Sequence, residues 1–202
     1  MSTDPPDIGD LLQRGDAAAL AELFARHDAL VRQTVALRLD RRLLARVDVA
    51  DVVQDTYLEA TRRFDEYLRR PGMPFHLWLR WLARERVLML HRQHVFADRR
   101  AVGREAPPLP VDSSTCFTRA LLGREPSPSQ AVAAAEVAER LRQALGELDD
   151  DERDVILWRH FEHLANREIA QLLSITEAAA AKRYIRAVER LRGILMGLGV
   201  SG

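Results

Sequence analysis

Cysteine is almost missing from this chain. Cys116 stands alone among 202 residues, so no disulfide can form within the chain, and a reducing compartment is its natural setting. Long apolar runs are missing too, and no stretch approaches the roughly 20 residues that a bilayer-spanning helix requires. The opening MSTDPPDIGD is acidic and lacks the basic and apolar blocks of a secretory signal. A cytoplasmic protein with no membrane contact is therefore expected. There is no surplus of charge: 30 Lys and Arg face 30 Asp and Glu. Any cationic surface must come from local asymmetry, and whatever it holds is not held by net charge. Nothing alternates with period two over a strand length, which leaves an all-α fold. There is also no Gly-rich phosphate loop, no paired-carboxylate site and no nucleophile beside a base, so the residues imply neither a catalytic site nor a cofactor.

What is present is helical periodicity in two blocks. A chain of this length holds one large domain or two small ones, and composition favours two. In the first block Leu20, Leu23, Phe24, His27, Leu30, Val31 and Val35 recur at three- and four-residue spacing, with His27 as a half-buried packing residue. A basic segment from Arg38 to Arg46 precedes a second stripe of Val49, Val52, Val53, Tyr57, Ala60 and Phe64, whose outer face carries Asp51, Gln54, Asp55 and Glu59. Pro71, Gly72 and Pro74 break the pattern. The helix expected from Phe75 to about Gln93 is rich in Leu and Trp and carries Arg80, Arg84, Arg86, His91 and Arg92. His91 and His94 lie three apart, but no third or fourth metal ligand accompanies them, so phosphate contact or exposure is expected and no metal.

From about Ala97 the composition turns to Pro107, Pro108 and Pro110, then Ser113 to Thr115, then Pro126 to Ser129. This reads as a flexible tether with one short helix around Phe117 to Leu122. The boundaries are a first domain at 1–97, a tether at 98–128 and a second domain at 129–202. The second holds four helices. Its acidic block, Glu147 to Asp154, reads as a solvated helix start with Asp149 and Glu152 as a capping pair.

The last two helices, in LANREIAQLLSITEAAAAKRYIRAVERLR, have the spacing of a helix-turn-helix. Ala170 is small where two helices cross, Ile175 plugs the turn and Thr176 caps the second helix. That helix opens on Glu177 and Ala178 to Ala181, then presents Lys182, Arg183 and Arg186, with Tyr184, Ile185, Val188 and Leu191 as apolar contacts. A basic amphipathic helix on its own equally fits a merely solvated face. The short helix ahead of it is what favours a helix laid in a DNA groove.

In order, DVADVVQDTYLEATRRF, MPFHLWLRWLARERVLMLHRQH and the segment from Ala144 to Arg192 resemble regions 2.2, 2.3 with 2.4, and 4 of the extracytoplasmic-function sigma factors, in the sigma-70 family. The likeness runs from about Leu20 to Leu195. It implies a subunit of bacterial RNA polymerase that recognises the −10 and −35 promoter elements and leaves the chemistry to the polymerase. Asp51, Gln54, Asp55 and Glu59 would dock on the coiled coil of the largest subunit, and region 4 on the flap. Arg80, Arg84, Arg86, His91 and Arg92 would hold the opened strand, while Trp78 matches a core position. Glu177, Ala178, Ala181, Lys182, Arg183 and Arg186 would meet the more distant element. The tether lets two domains span elements about two helical turns apart. Family habit adds an anti-sigma factor as partner. The chain departs from the family at Glu85, Met89, Ser174 and Ala181, where asparagine, aspartate, glycine and part of a Gly-Thr-Val-Lys run are usual. Two other readings fit parts of the sequence: a one-component regulator that binds its operator unaided, and a helical adaptor that binds no DNA.

Overall fold

The computed structural model describes residues 6–39, 43, 46–97, 117 and 131–199. Among these residues there are nine helices and no strand: α1 (Pro6–Arg14), α2 (Ala17–Arg26), α3 (Asp28–Ala36), α4 (Val49–Arg69), α5 (Phe75–Ala97), α6 (Ala131–Gly146), α7 (Asp150–His160), α8 (Asn166–Leu173) and α9 (Glu177–Gly197). They fall into two compact units, α1 to α5 and α6 to α9. The all-α expectation holds.

In the first unit, Gly15 turns the chain between α1 and α2 at φ +63, where an added Cβ would also meet Leu68 at 2.9 Å. The next residue starts α2: an Asp16 carboxylate oxygen accepts the Ala19 N–H at 2.6 Å. Asp48 does the same for α4 through Ala50, at 3.0 Å. Leu20, Leu23 and Phe24 of α2 and Val52, Val53, Thr56, Ala60, Phe64 and Tyr67 of α4 face inward. Against them lies α5, which packs on both α3 and α4. Phe75, Leu77, Trp78, Leu79, Leu82, Ala83 and Val87 of α5 are all buried. Full burial of such side chains contributes about 1.5–3 kcal/mol each, so α5 is the pillar of this unit.

An aromatic cluster closes one end of that core. Tyr67 stacks on Trp78 with centroids 4.6 Å apart, and Phe75 receives His27, Phe64 and Tyr67 edge-on at 5.5, 6.3 and 5.7 Å. Trp78 and His27 are packing residues, as their positions in the pattern suggest. The turn at Pro71 and Pro74 is held by the Tyr67 hydroxyl, which donates to the Met73 carbonyl at 3.1 Å. Helix α5 runs to Ala97, four residues beyond the expected end.

In the second unit α7 is wrapped on nearly every side, with Arg153, Asp154, Val155, Ile156, Leu157 and Trp158 all buried. Arg153 ends α6. Its Nε donates to the Leu145 carbonyl at 2.9 Å and its Nη2 to that of Leu148 at 3.1 Å, which satisfies carbonyls the helix cannot use itself. Asp149 caps α7 by accepting the Glu152 N–H at 2.8 Å, as expected. Glu152 does not complete a reciprocal cap. Its carboxylate reaches Arg190 instead, at 2.9 Å.

Most of the expected tether, 98–128, lies outside the described residues, as does the short helix expected beyond Phe117. Phe117 itself is helical and 7% exposed. Its ring lies 3.9 Å from that of His160 and 6.1 Å from that of Phe161. Its helical state agrees with the short helix expected there, and its ring is held against the start of the turn after α7.

Candidate nucleic-acid interface

The second unit carries a helix-turn-helix built as the spacing implies. Helix α8 opens with Glu168 accepting the Ala165 N–H at 2.8 Å. It closes at Ser174, whose φ of 54 and ψ of 41 put it in the left-handed region. The Ile175 N–H then returns to the Ala170 carbonyl at 3.0 Å. The backbone keeps the geometry that glycine serves best, and serine takes it at a cost of about 1–2 kcal/mol. Thr176 restarts the chain by accepting the Ala179 N–H at 3.2 Å. Ala170 is buried at the crossing and Ile175 is half-buried in the turn, both as expected.

Helix α9 packs through Ala180, Ala187, Leu191 and Leu195. Its outer side presents Glu177, Ala178, Lys182 and Arg186, with Ala181 half-buried beside them. Ile185 is corrected: it is 53% exposed rather than packed. Tyr184 is half-buried, and its hydroxyl lies 2.8 Å from His160 Nε2. Desolvation, followed by the nearby charges of Arg159 and His163, pushes the His160 pKa down to about 4. The neutral ring can thus accept the hydroxyl proton, while burial holds the Tyr184 pKa above its ordinary value.

The cations of α9 are not equivalent. Lys182 and Arg186 make no ion pair with any described residue. Arg183 is bound to Asp151 at 2.6 Å, and Arg190 to Glu152 at 2.9 Å with Asp149 at 4.0 Å. Side chains this exposed gain only about 0–1 kcal/mol per pair, so a phosphate can compete for either arginine.

In the first unit Asp51 and Gln54 are exposed on α4, while Asp55 and Glu59 are half-buried and engaged. Asp55 binds Arg86 at 2.5 Å, and Glu59 binds Arg63 at 2.5 Å and Arg62 at 3.4 Å. Leu58, 47% exposed, shares this face one turn after Gln54 and Asp55. The pattern of polar residues concealed it, though an apolar residue off the core stripe was the available signal.

Most of the expected strand-holding cations of α5 lie inside the bundle. Arg80, Arg84 and His91 are 8%, 9% and 3% exposed. His91 lies inside, its Nε2 3.0 Å from the Arg38 carbonyl oxygen. Arg86 is half-buried against Asp55, which leaves Arg92 as the exposed member of the group. A concavity of about 490 Å³ between α4 and α5 is lined by Glu59, Arg63, Leu82, Glu85, Met89 and Arg92, among others. Trp81 is half-buried, with the Arg63 guanidinium 5.5 Å from its ring. Glu85 pairs with Arg84 at 3.3 Å, and the Met89 sulfur accepts from Arg86 at 3.9 Å. The two departures from the family pattern therefore both meet arginines.

The sequence profile of Sigma-70 region 2 matches residues 23–96, and that of Sigma-70, region 4 matches residues 138–191. The chain belongs to the sigma-70 family. The matched segments together make up more than half of it and fall on the two units in order, one on α2 to α5 and one on α6 to α9. RNA polymerase sigma factor CnrH of Cupriavidus metallidurans is 28% identical over 90% of this chain and 88% of that protein. RNA polymerase sigma factor CarQ of Myxococcus xanthus is 29% identical over 90% and 91%. The solved structure of CnrH in complex with the cytosolic domain of CnrY has the same fold, with a TM-score of 0.57, 23% identity, and 94% and 95% of the two chains covered. The sigma factor RpoE in complex with the anti-sigma factor NepR, from Bartonella quintana, matches at a TM-score of 0.55, with 18% identity over 87% and 95%. As a sigma factor of the sigma-70 family, the chain directs transcription initiation, and its helix-turn-helix is the DNA-binding part of region 4. Among the described residues no helix is long and apolar enough to cross a membrane.

Proposed function

We propose that the chain is a dissociable promoter-specificity subunit of RNA polymerase with no catalytic site of its own, acting in the cytoplasm. Residues 1–97 form the part that binds core enzyme and opens the nearer promoter element. Residues 129–202 read the more distant element, and 98–128 join the two. Asp51, Gln54, Asp55 and Glu59, with Leu58 as an apolar anchor among them, dock on the coiled coil of the largest subunit. Charged groups at such a face set register and partner choice, and a central apolar contact adds affinity.

On α5, Arg92 contacts the opened strand. Arg80, Arg84 and His91 act from inside by fixing the helix, and Arg86 ties it to Asp55. On α9, Lys182 and Arg186 meet phosphates, Arg183 does so only by leaving Asp151, and Glu177, Ala178 and Ala181 approach base edges. The small alanines let the helix backbone come close to the groove floor. The polymerase flap is the second contact on core. An anti-sigma factor is a further partner, supported by the complex of RpoE with the anti-sigma factor NepR.

The observation that carries this reading is the ordered pair of family matches on two separately packed helical units, the second ending in a capped helix-turn-helix. Capture on immobilised core polymerase tests it. The wild-type chain is expected to be retained. Asp55→Arg, which reverses a half-exposed charge, is expected to weaken retention at least tenfold with an unchanged helical spectrum. A chain that ignores core yet protects duplex DNA unaided would be a one-component regulator instead.

A further inference from the structure

The acidic turn at the start of α7 and the basic side of α9 are joined across 32 and 38 residues of sequence by Arg183 to Asp151 and Arg190 to Glu152. Neither pair is needed to hold α7 in place. The buried Arg153 already fastens that end of α7 to the last carbonyls of α6, and Asp149 caps it. Both pairs are reached by solvent, at Asp151 and Arg190, each about half exposed, while Arg183 is about a third exposed and Glu152 19%.

A hollow of about 450 Å³ is lined by Asp149, Asp150, Asp151 and Glu152 on one side and by Arg183 and Arg186 on the other. A phosphate that reaches Arg183 must displace a carboxylate and then sit beside it. Among the described residues, Lys182 and Arg186 hold no carboxylate that a phosphate would have to displace, although Arg186 lines the same hollow.

We propose that Asp151 and Glu152 are specificity-determining residues. By holding Arg183 and Arg190 they withhold two cations from the sequence-independent attraction of DNA, so that base contacts decide where α9 settles. The inference rests on the reading of α9 as the groove helix. Its physical basis is that non-specific affinity follows the number of phosphates neutralised, each adding about 0.9 to the slope of log affinity against log salt. Two cations tied to carboxylates leave that count smaller. A duplex in the wrong register also brings its phosphates against the acidic turn, which penalises it further.

The test uses the full chain and its Asp151→Asn/Glu152→Gln variant, each titrated with a duplex of arbitrary sequence over a salt series. The variant is expected to bind roughly tenfold tighter at about 0.1 M salt, with a slope steeper by about two. With core polymerase, it is expected to give a smaller ratio of transcripts from the preferred promoter to transcripts from its shuffled version. Glu152→Gln alone, which leaves Asp151 on Arg183, is expected to steepen the slope by about one, and it keeps the test decisive should the double variant melt early. Unchanged affinity and slope in variants that fold normally would overturn the inference while leaving the groove helix in place. Lys182→Ala and Arg186→Ala separate the two ideas. If these also bind the duplex as wild type does, α9 is not the DNA helix, and the reading and the inference fall together.

Discussion

Desolvation decides the behaviour of His160. With a folded pKa of about 4 against an ordinary 6.5, the unfolded chain takes up a proton between those values that the folded chain refuses. The stability this confers is fully present above the unfolded value and is lost as pH falls towards the folded one. Thermal melts of the second unit are therefore expected to drop between pH 6.5 and 4, and His160→Gln is expected to flatten that drop relative to wild type. Parallel pH profiles would argue against a neutral imidazole held between Phe117 and Tyr184. Arg80, Arg84 and His91 are rich in donors, and all three are buried in the bundle.

At the scale of the element, α5 separates what the sequence makes legible from what it hides. Its buried arginine Arg84 and its exposed arginine Arg92 are expected to differ in kind. Arg84→Ala should lower the melting temperature of the first unit, costing about 1–3 kcal/mol. Arg92→Ala should leave stability within about 0.5 kcal/mol and reduce promoter opening, read by permanganate reactivity of unpaired thymines. Equal melting losses in both variants would contradict the assignment. Helices α2, α4 and α9 could be read from one-sided periodicity, and the cap of α9 at Thr176 from residue type. Helix α5 gives no such signal about faces, because neighbours surround it and almost every position is buried or half-buried. The partners of these buried and half-buried polar side chains lie far along the chain. Arg38 is 53 residues from His91, Asp55 is 31 from Arg86, and Asp151 is 32 from Arg183. Local pattern carries no information about such pairs. It does specify the left-handed turn at residue 174, which the backbone adopts even with serine in place of glycine.

For the whole molecule, charge balance is an arrangement of pairs rather than an absence of charge. The chain carries thirty cations and thirty anions, and among the described residues several of them pair on α4, α5, α7 and α9, so affinity for DNA has to be supplied by combination. Two modest contacts made by one chain reinforce each other through effective concentration, and docking on polymerase adds the rest. Run-off transcription from fragments of the chain's own genome, with purified core polymerase, reads this directly. Discrete transcripts from a small set of start sites are expected only when the chain is present. The same pattern with and without it, although the chain is folded and in excess, would contradict the account.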